Sequence, residues 1–224
     1  MVKRTKLADR VLPFYTRAEE LVNTVTHGVG IPLSIAALVL CIMKAVTHRG
    51  VVEIVASSVY GGCMILVYSM SALYHGLKPG MGKKVLQVLD HCAIYFLIAG
   101  SYTLVCLGAI RRAQPVLGWS IFCLEWALTA LAATLTAIDL KKFETFSTVC
   151  YIGMGWAIVP LAGKLWSILG PAGFALTLGG GIAYTLGAVL CNVGTRVRWM
   201  HSIFHLLVVA GSTLHFFAFY LYAI

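Results

Sequence analysis

Residues 85–110 read VLQVLDHCAIYFLIAGSYTLVCLGAI. This run contains one carboxylate, Asp90, one histidine, His91, and no lysine or arginine. A helix needs about 20 predominantly apolar residues to cross the hydrocarbon of a bilayer. A surface helix of a soluble domain would keep a polar face for water, and this run has none. Its apolar residues are continuous, not alternating, which predicts a spanning helix and not a strand of a barrel.

Six further runs of the same kind lie outward from it: Leu21–Ala45, Val51–Leu77, Pro115–Ile138, Phe146–Ile168, Ala172–Asn192 and Trp199–Tyr222. Little chain remains between them. Of 224 residues, 60% are hydrophobic and only 11% charged, and the mean hydropathy is +0.89. A soluble domain needs far more charge to cover its surface. The expectation is an all-α integral membrane bundle of seven transmembrane helices. Residues 1–20 form a cytoplasmic N-terminal segment and residues 21–224 a single seven-helix domain.

The net charge of +9 does not point to nucleic acid, because the basic residues sit in short loops between apolar runs. Counted in alternate loops, one side carries twelve: Lys3, Arg4, Lys6, Arg10, Arg17, Lys78, Lys83, Lys84, Lys141, Lys142, Arg196 and Arg198. The other carries five: Lys44, Arg49, Arg111, Arg112 and Lys164. The richer side is expected to be cytoplasmic, with the N-terminus inside and the C-terminus outside. The first twenty residues lack the apolar core and small-residue cleavage site of a signal peptide, so the first span is expected to direct insertion. The seven cysteines form no CxxC pair, which disfavours a disulfide framework or zinc ribbon and suits small buried packing residues.

Ionisable residues inside spans are expensive and normally have a partner or a task. Here the topology puts most of them at one depth. His75 closes the second helix on the cytoplasmic side, and Asp90 and His91 lie one or two turns into the third. Glu20, Asn23 and His27 begin the first helix there, and His201 and His205 begin the seventh. His201 and His205 are one turn apart and share a helix face. Together with His75 they make a three-histidine set of the kind that holds catalytic zinc, with a fourth position open to water. Asp90 could hydrogen-bond that water or a ligand imidazole and act as general base, and Ser71, one turn before His75, could contact Asp90, the water or a developing oxyanion. His91 points about 100° away from Asp90 and is read as a packing or supporting residue. His48 and His215 lie outside this layer. Glu125, mid-span in the fourth helix, admits three readings: protonated, paired internally, or part of a polar cavity. The run Gly179–Gly181 with Ala183 and Gly187 makes a small-residue face for close packing, or a lateral gap for a lipid chain.

Three motifs carry a family resemblance: ExxNxxTH at Glu20, Asn23, Thr26 and His27; SxxxH followed by LD at Ser71, His75, Leu89 and Asp90; and HxxxH at His201 and His205. In this order they resemble the progestin and adipoQ receptor (PAQR) superfamily, most closely its bacterial haemolysin III branch, over essentially the whole chain. Leu104 stands where many relatives have proline. The resemblance implies a seven-helix membrane fold with the N-terminus in the cytoplasm. It also implies a zinc ion on His75, His201 and His205, with Asp90 and Ser71 around the metal-bound water. Relatives are associated with hydrolysis of lipid amides and with membrane-lipid homeostasis. The leading expectation is a zinc-dependent hydrolase of a lipid amide or ester bond, with a membrane lipid as substrate or ligand. Two alternatives stand beside it: a sensor of bilayer state with structural zinc, and a haemolysin-like pore. The oligomeric state is left open.

Overall fold

The computed structural model describes residues 4–48, 50–194 and 197–224. Lys3, Arg49 and Arg196 of the charge count, and the His48 side chain, lie outside the described residues. Among the described residues the fold is all-helical. The long helices are α1 (Arg17–His48), α2 (Val51–Gly76), α3 (Met81–Val105), α4 (Pro115–Ile138), α5 (Glu144–Trp156), α6 (Ala162–Val193) and α7 (Met200–Tyr222). Short 3-10 turns occur at Leu7–Asp9 and Val159–Leu161, and α3 runs on through a π-helical turn, Cys106–Ile110.

Six ranges of helix are long and apolar enough to cross a membrane. One of them, Glu144–Val193, is 50 residues long, but it is not a single straight rod. The Trp156 indole donates to Thr185 Oγ1 at 2.9 Å, whereas 29 residues of straight helix would separate them by about 43 Å. The range doubles back at Gly170, whose φ of 69° and ψ of 174° leave the helical region. Only glycine takes that backbone conformation without strain, and Pro171 then supplies a preset φ for the returning limb. The doubling point falls between the apolar runs Phe146–Ile168 and Ala172–Asn192.

The helices neighbour each other mainly as α1 with α2, α2 with α3, and α6 with α7. The third range is the centre of the bundle, with 83% of its apolar window buried against 17% for Glu144–Val193. The outer helices turn Leu33, Val39, Leu131, Leu186 and Leu206 outward, the pattern of a surface solvated by hydrocarbon. At one end of the bundle Arg111 pairs with Glu53 at 2.8 Å, and Arg112 donates to the Ala223 carbonyl at 2.8 Å. The opposite end holds the C-terminus of α2 and the N-termini of α1, α3 and α7.

The glycine run serves both packing and space. A Cβ on Gly180 would stand 2.2 Å from the His215 ring, and one on Gly187 3.2 Å from Phe204. Gly181 instead faces an internal cavity. All seven cysteines are free. The apolar runs underestimate the helices where their first turns are polar: α1 begins at Arg17, not Leu21, and α3 at Met81, not Val85. Lys83 and Lys84, read as loop residues, are therefore helical, and Lys83 is buried.

Candidate metal centre

Three histidines from two helices meet at the end of the bundle that holds the start of α1. His201 Nε2 lies 3.3 Å from His75 Nε2 and 3.2 Å from His205 Nε2. One nitrogen from each of the three lies within 4.8 Å of the others. Ligand atoms about 2.0–2.1 Å from an ion, at tetrahedral angles, stand about 3.3 Å apart. Two of the three pairs thus have the spacing of a coordination shell, so the group could hold a metal ion, and the residue types suit a borderline-soft divalent cation.

The second nitrogen of His75 explains why the ring faces this way. Glu20 Oε2 sits 2.6 Å from His75 Nδ1, which places the imidazole proton on Nδ1 and leaves the Nε2 lone pair free toward the other two rings. Lys83 Nζ donates to the other Glu20 oxygen at 2.7 Å and to the carbonyls of His75 and Leu77 at 3.3 and 3.0 Å. Asn23 Nδ2 lies 3.4 Å from His75 Nδ1, and Asn23 Oδ1 accepts from Ser202 at 2.7 Å. Glu20, Asn23 and His27 therefore face the centre from one side of α1. His27 stacks on His205 with ring centroids 3.7 Å apart, and both of its nitrogens are buried without a hydrogen bond. Thr26 is turned away and donates to its own helix at the Val22 carbonyl, 2.6 Å.

The start of α7 is a strained turn held in place by a carboxylate. Trp199 has a φ of 66°, an unfavourable conformation for a bulky residue. Its N–H donates to Glu19 Oε1 at 2.8 Å, and the other Glu19 oxygen accepts from the Thr16 amide and hydroxyl. The α1 turn that aims Glu20 at His75 thereby also fixes where His201 begins.

Ser71 and Asp90 line the same cavity as His201 and His27. The cavity holds about 440 Å³, within the range of small-molecule sites. It reaches from the N-terminal segment past His201 to His215, fourteen residues along α7, or about 21 Å of helix. Its inner walls are mostly apolar, including Val67, Ile94, Leu97, Phe204 and Val208. His215 is at the deep end, 3.0 Å from the Thr177 carbonyl. His91 also lines the cavity, but its Nδ1 is held by the Gln87 carbonyl at 2.8 Å. Glu125 is fully buried and both of its oxygens lack a hydrogen bond, so the internally paired reading does not hold.

Lys83, Tyr15 and Cys191 also belong to this centre and escape sequence reasoning. Lys83 lies two turns before Asp90 on one helix face, a spacing that could have flagged it. Tyr15 stacks on His201 at 4.8 Å from a segment with no periodicity to read. Burial pushes its hydroxyl well above the ordinary tyrosine value, so it stays neutral. Cys191 Sγ lies 3.7 Å from His201 Nδ1.

Comparison with known proteins shows the family. The family model described as Haemolysin-III related matches residues 15–216. The chain is 38% identical to Hemolysin-3 of Bacillus cereus, covering 92% of each chain. It is 34% identical to the Hemolysin-3 homolog of Bacillus subtilis (strain 168), covering 94% of this chain and 97% of that one. Identity is 23% to the human Monocyte to macrophage differentiation factor, over 76% of this chain and 71% of that one. No solved structure matches. With its motifs, helices and relatives in agreement, the chain is a multi-pass membrane protein that belongs to the haemolysin III-related family, within the PAQR superfamily.

Proposed function

We propose that His75, His201 and His205 hold a zinc ion, and that the centre hydrolyses an amide or ester bond of a membrane lipid. The observation that carries this reading is the convergence of three buried or half-buried imidazoles, with His201 Nε2 3.2–3.3 Å from each of the other two Nε2 atoms, beside a cavity lined by a carboxylate and a hydroxyl. When bound, zinc would polarise a carbonyl and bring the pKa of a coordinated water to about 7. In this reading Asp90 takes a proton as general base and Ser71 assists it, both lining the cavity beside His201. Glu20 fixes the tautomer and direction of His75. Tyr15 and His27 cover the imidazoles from two sides and limit water. The apolar arm of the cavity suits an acyl chain. The reading also includes seven crossings with the N-terminus in the cytoplasm. The doubled-back Glu144–Val193 range supports the count, and the lysine and arginine asymmetry supports the orientation.

The test is purified protein in neutral lipid with defined ceramide and phospholipid substrates. Product release in the wild type that is lost in His205→Ala and Asp90→Ala, with folding retained, supports hydrolysis. Equal turnover in those variants contradicts it. A second reading, structural zinc in a regulator of bilayer state, draws on the Asn23–Ser202 bond and the His27–His205 stack, which already tie α1 to α7. Under that reading, removing zinc lowers thermal stability while no substrate yields product.

A further inference from the structure

The mouth of the cavity contains a buried guanidinium with unsatisfied donors. Arg10 is only 7% exposed, yet its Nε and Nη1 are buried and make no hydrogen bond. Its backbone closes the 3-10 turn Leu7–Asp9, and its side chain lines the cavity with Gln87 and Lys141. The neighbouring carboxylate, Asp139, offsets part of the charge but leaves these two nitrogens without a hydrogen bond among the described residues: one of its oxygens accepts from the Thr5 amide at 2.7 Å and the other from the Lys142 amide at 3.1 Å. The acids on the cavity rim, Asp9 and Glu144, are exposed.

Leaving donors of a buried guanidinium unsatisfied is unfavourable, and their planar array matches carboxylate and phosphate oxygens. We propose that Arg10 is a head-group site: it binds an oxyanion, carboxylate or phosphate, carried by an amphiphile whose apolar chain occupies the arm toward Tyr184 and His215. This rests on the lipid reading of the cavity and narrows the ligand to anionic amphiphiles. The segment carrying Arg10 also carries Tyr15, which lies on His201. Five residues span at most about 17 Å of extended chain, so the oxyanion and the metal centre fall within one lipid head-group region.

The test uses purified full-length protein in phosphatidylcholine nanodiscs and tritiated hexadecyl phosphate, with unlabelled hexadecyl phosphate, hexadecanol and inorganic phosphate as competitors. The wild type should prefer hexadecyl phosphate over hexadecanol by about ten- to hundredfold, the worth of a charge-assisted hydrogen bond. Arg10→Gln should lose that preference while its hexadecanol affinity and metal content stay unchanged, and Arg10→Lys should keep part of it. Displacement by inorganic phosphate in the wild type but not in Arg10→Gln would support the oxyanion site and identify a free anion as its ligand. If hexadecanol fails to bind the wild type while that displacement persists, the lipid reading falls and the Arg10 site stands. Equal wild-type affinities for the phosphate and the alcohol, or an undiminished preference in Arg10→Gln, would overturn the proposal. Should Arg10→Gln fail to fold, the wild-type ranking and Arg10→Lys decide.

Discussion

Replacing Glu20 separates two contributions that meet at one carboxylate. One oxygen orients His75, and the other neutralises Lys83, whose side chain is 3% exposed against 22% for Glu20. Loss of a carboxylate behind a ligating histidine weakens metal binding about 10- to 100-fold, or about 1.4–2.7 kcal/mol. Breaking a buried ion pair costs about 3–5 kcal/mol. The partial exposure of Glu20, and the carbonyls that Lys83 retains, reduce this toward the value of a charge-assisted hydrogen bond, about 1.5–3 kcal/mol. Glu20→Ala should therefore lose metal affinity in a chelator competition and lower the melting temperature of the metal-free protein. Adding Lys83→Met removes the stranded ammonium, so the double variant should recover most of the stability and none of the affinity. Glu20→Gln keeps an acceptor for Nδ1 and should fall between Glu20→Ala and wild type. Wild-type metal affinity in Glu20→Ala, alongside lost binding in His75→Ala, would refute the orienting role.

Other consequences are measurable by thermal unfolding. Glu125 is buried without a hydrogen bond, so Glu125→Met should raise stability by about 1–3 kcal/mol, the penalty of an unsatisfied buried polar group; a loss would mean that the carboxyl has a partner. Gly180→Ala should destabilise by about 1–3 kcal/mol through overpacking, because the new Cβ meets the His215 ring at 2.2 Å and the Gly211 carbonyl at 3.1 Å. Gly179→Ala, whose nearest neighbour is Leu214 at 3.6 Å, should instead gain up to about 1 kcal/mol of helix propensity; equal effects at the two positions would contradict the packing described. Burial pushes the Asp139 carboxyl up, but the hydrogen bonds from Thr5 and Lys142, helped by the nearby Arg10 charge, outweigh it and hold it below the ordinary aspartate value. Its stabilisation is therefore complete above an unfolded pKa of about 3.9 and lost as pH falls through the lower folded value. Asp139→Asn should be less stable than wild type at neutral pH, with the gap closing in acid; a gap that widens in acid would reverse that assignment.

The three clustered histidines are legible in the sequence because two constraints act on them together. Apolar runs set the depth of His75 and His201, and the helical repeat puts His205 on the same face as His201. The doubling point at Gly170–Pro171 is legible for a related reason, since glycine and proline interrupt the apolar pattern there. The surroundings of the ligands are harder to read. Whether Glu20 reaches His75 depends on the packing of α1 against α2, and apolar periodicity does not encode the rotation of a helix whose first turn is polar. Lys83 resembles a loop charge until α3 is seen to begin at Met81. Tyr15 and Arg10 lie on a segment without a long helix and are placed largely by tertiary contacts, such as those of Thr5 with Asp139 and Tyr15 with His201. The PAQR-like motif marked Glu20, Asn23, Thr26 and His27 as a set, but only the coordinates separate the three that face the centre from Thr26, which does not.

The most direct test is metal content by elemental analysis of protein purified from zinc-containing medium, in wild type, His75→Ala and His205→Ala. A shared ion predicts close to one zinc per chain in the wild type and a large loss in either variant, with the helical circular dichroism signal preserved. Folded wild-type protein without zinc, or variants that keep the full complement, would contradict the metal centre and with it the proposed chemistry.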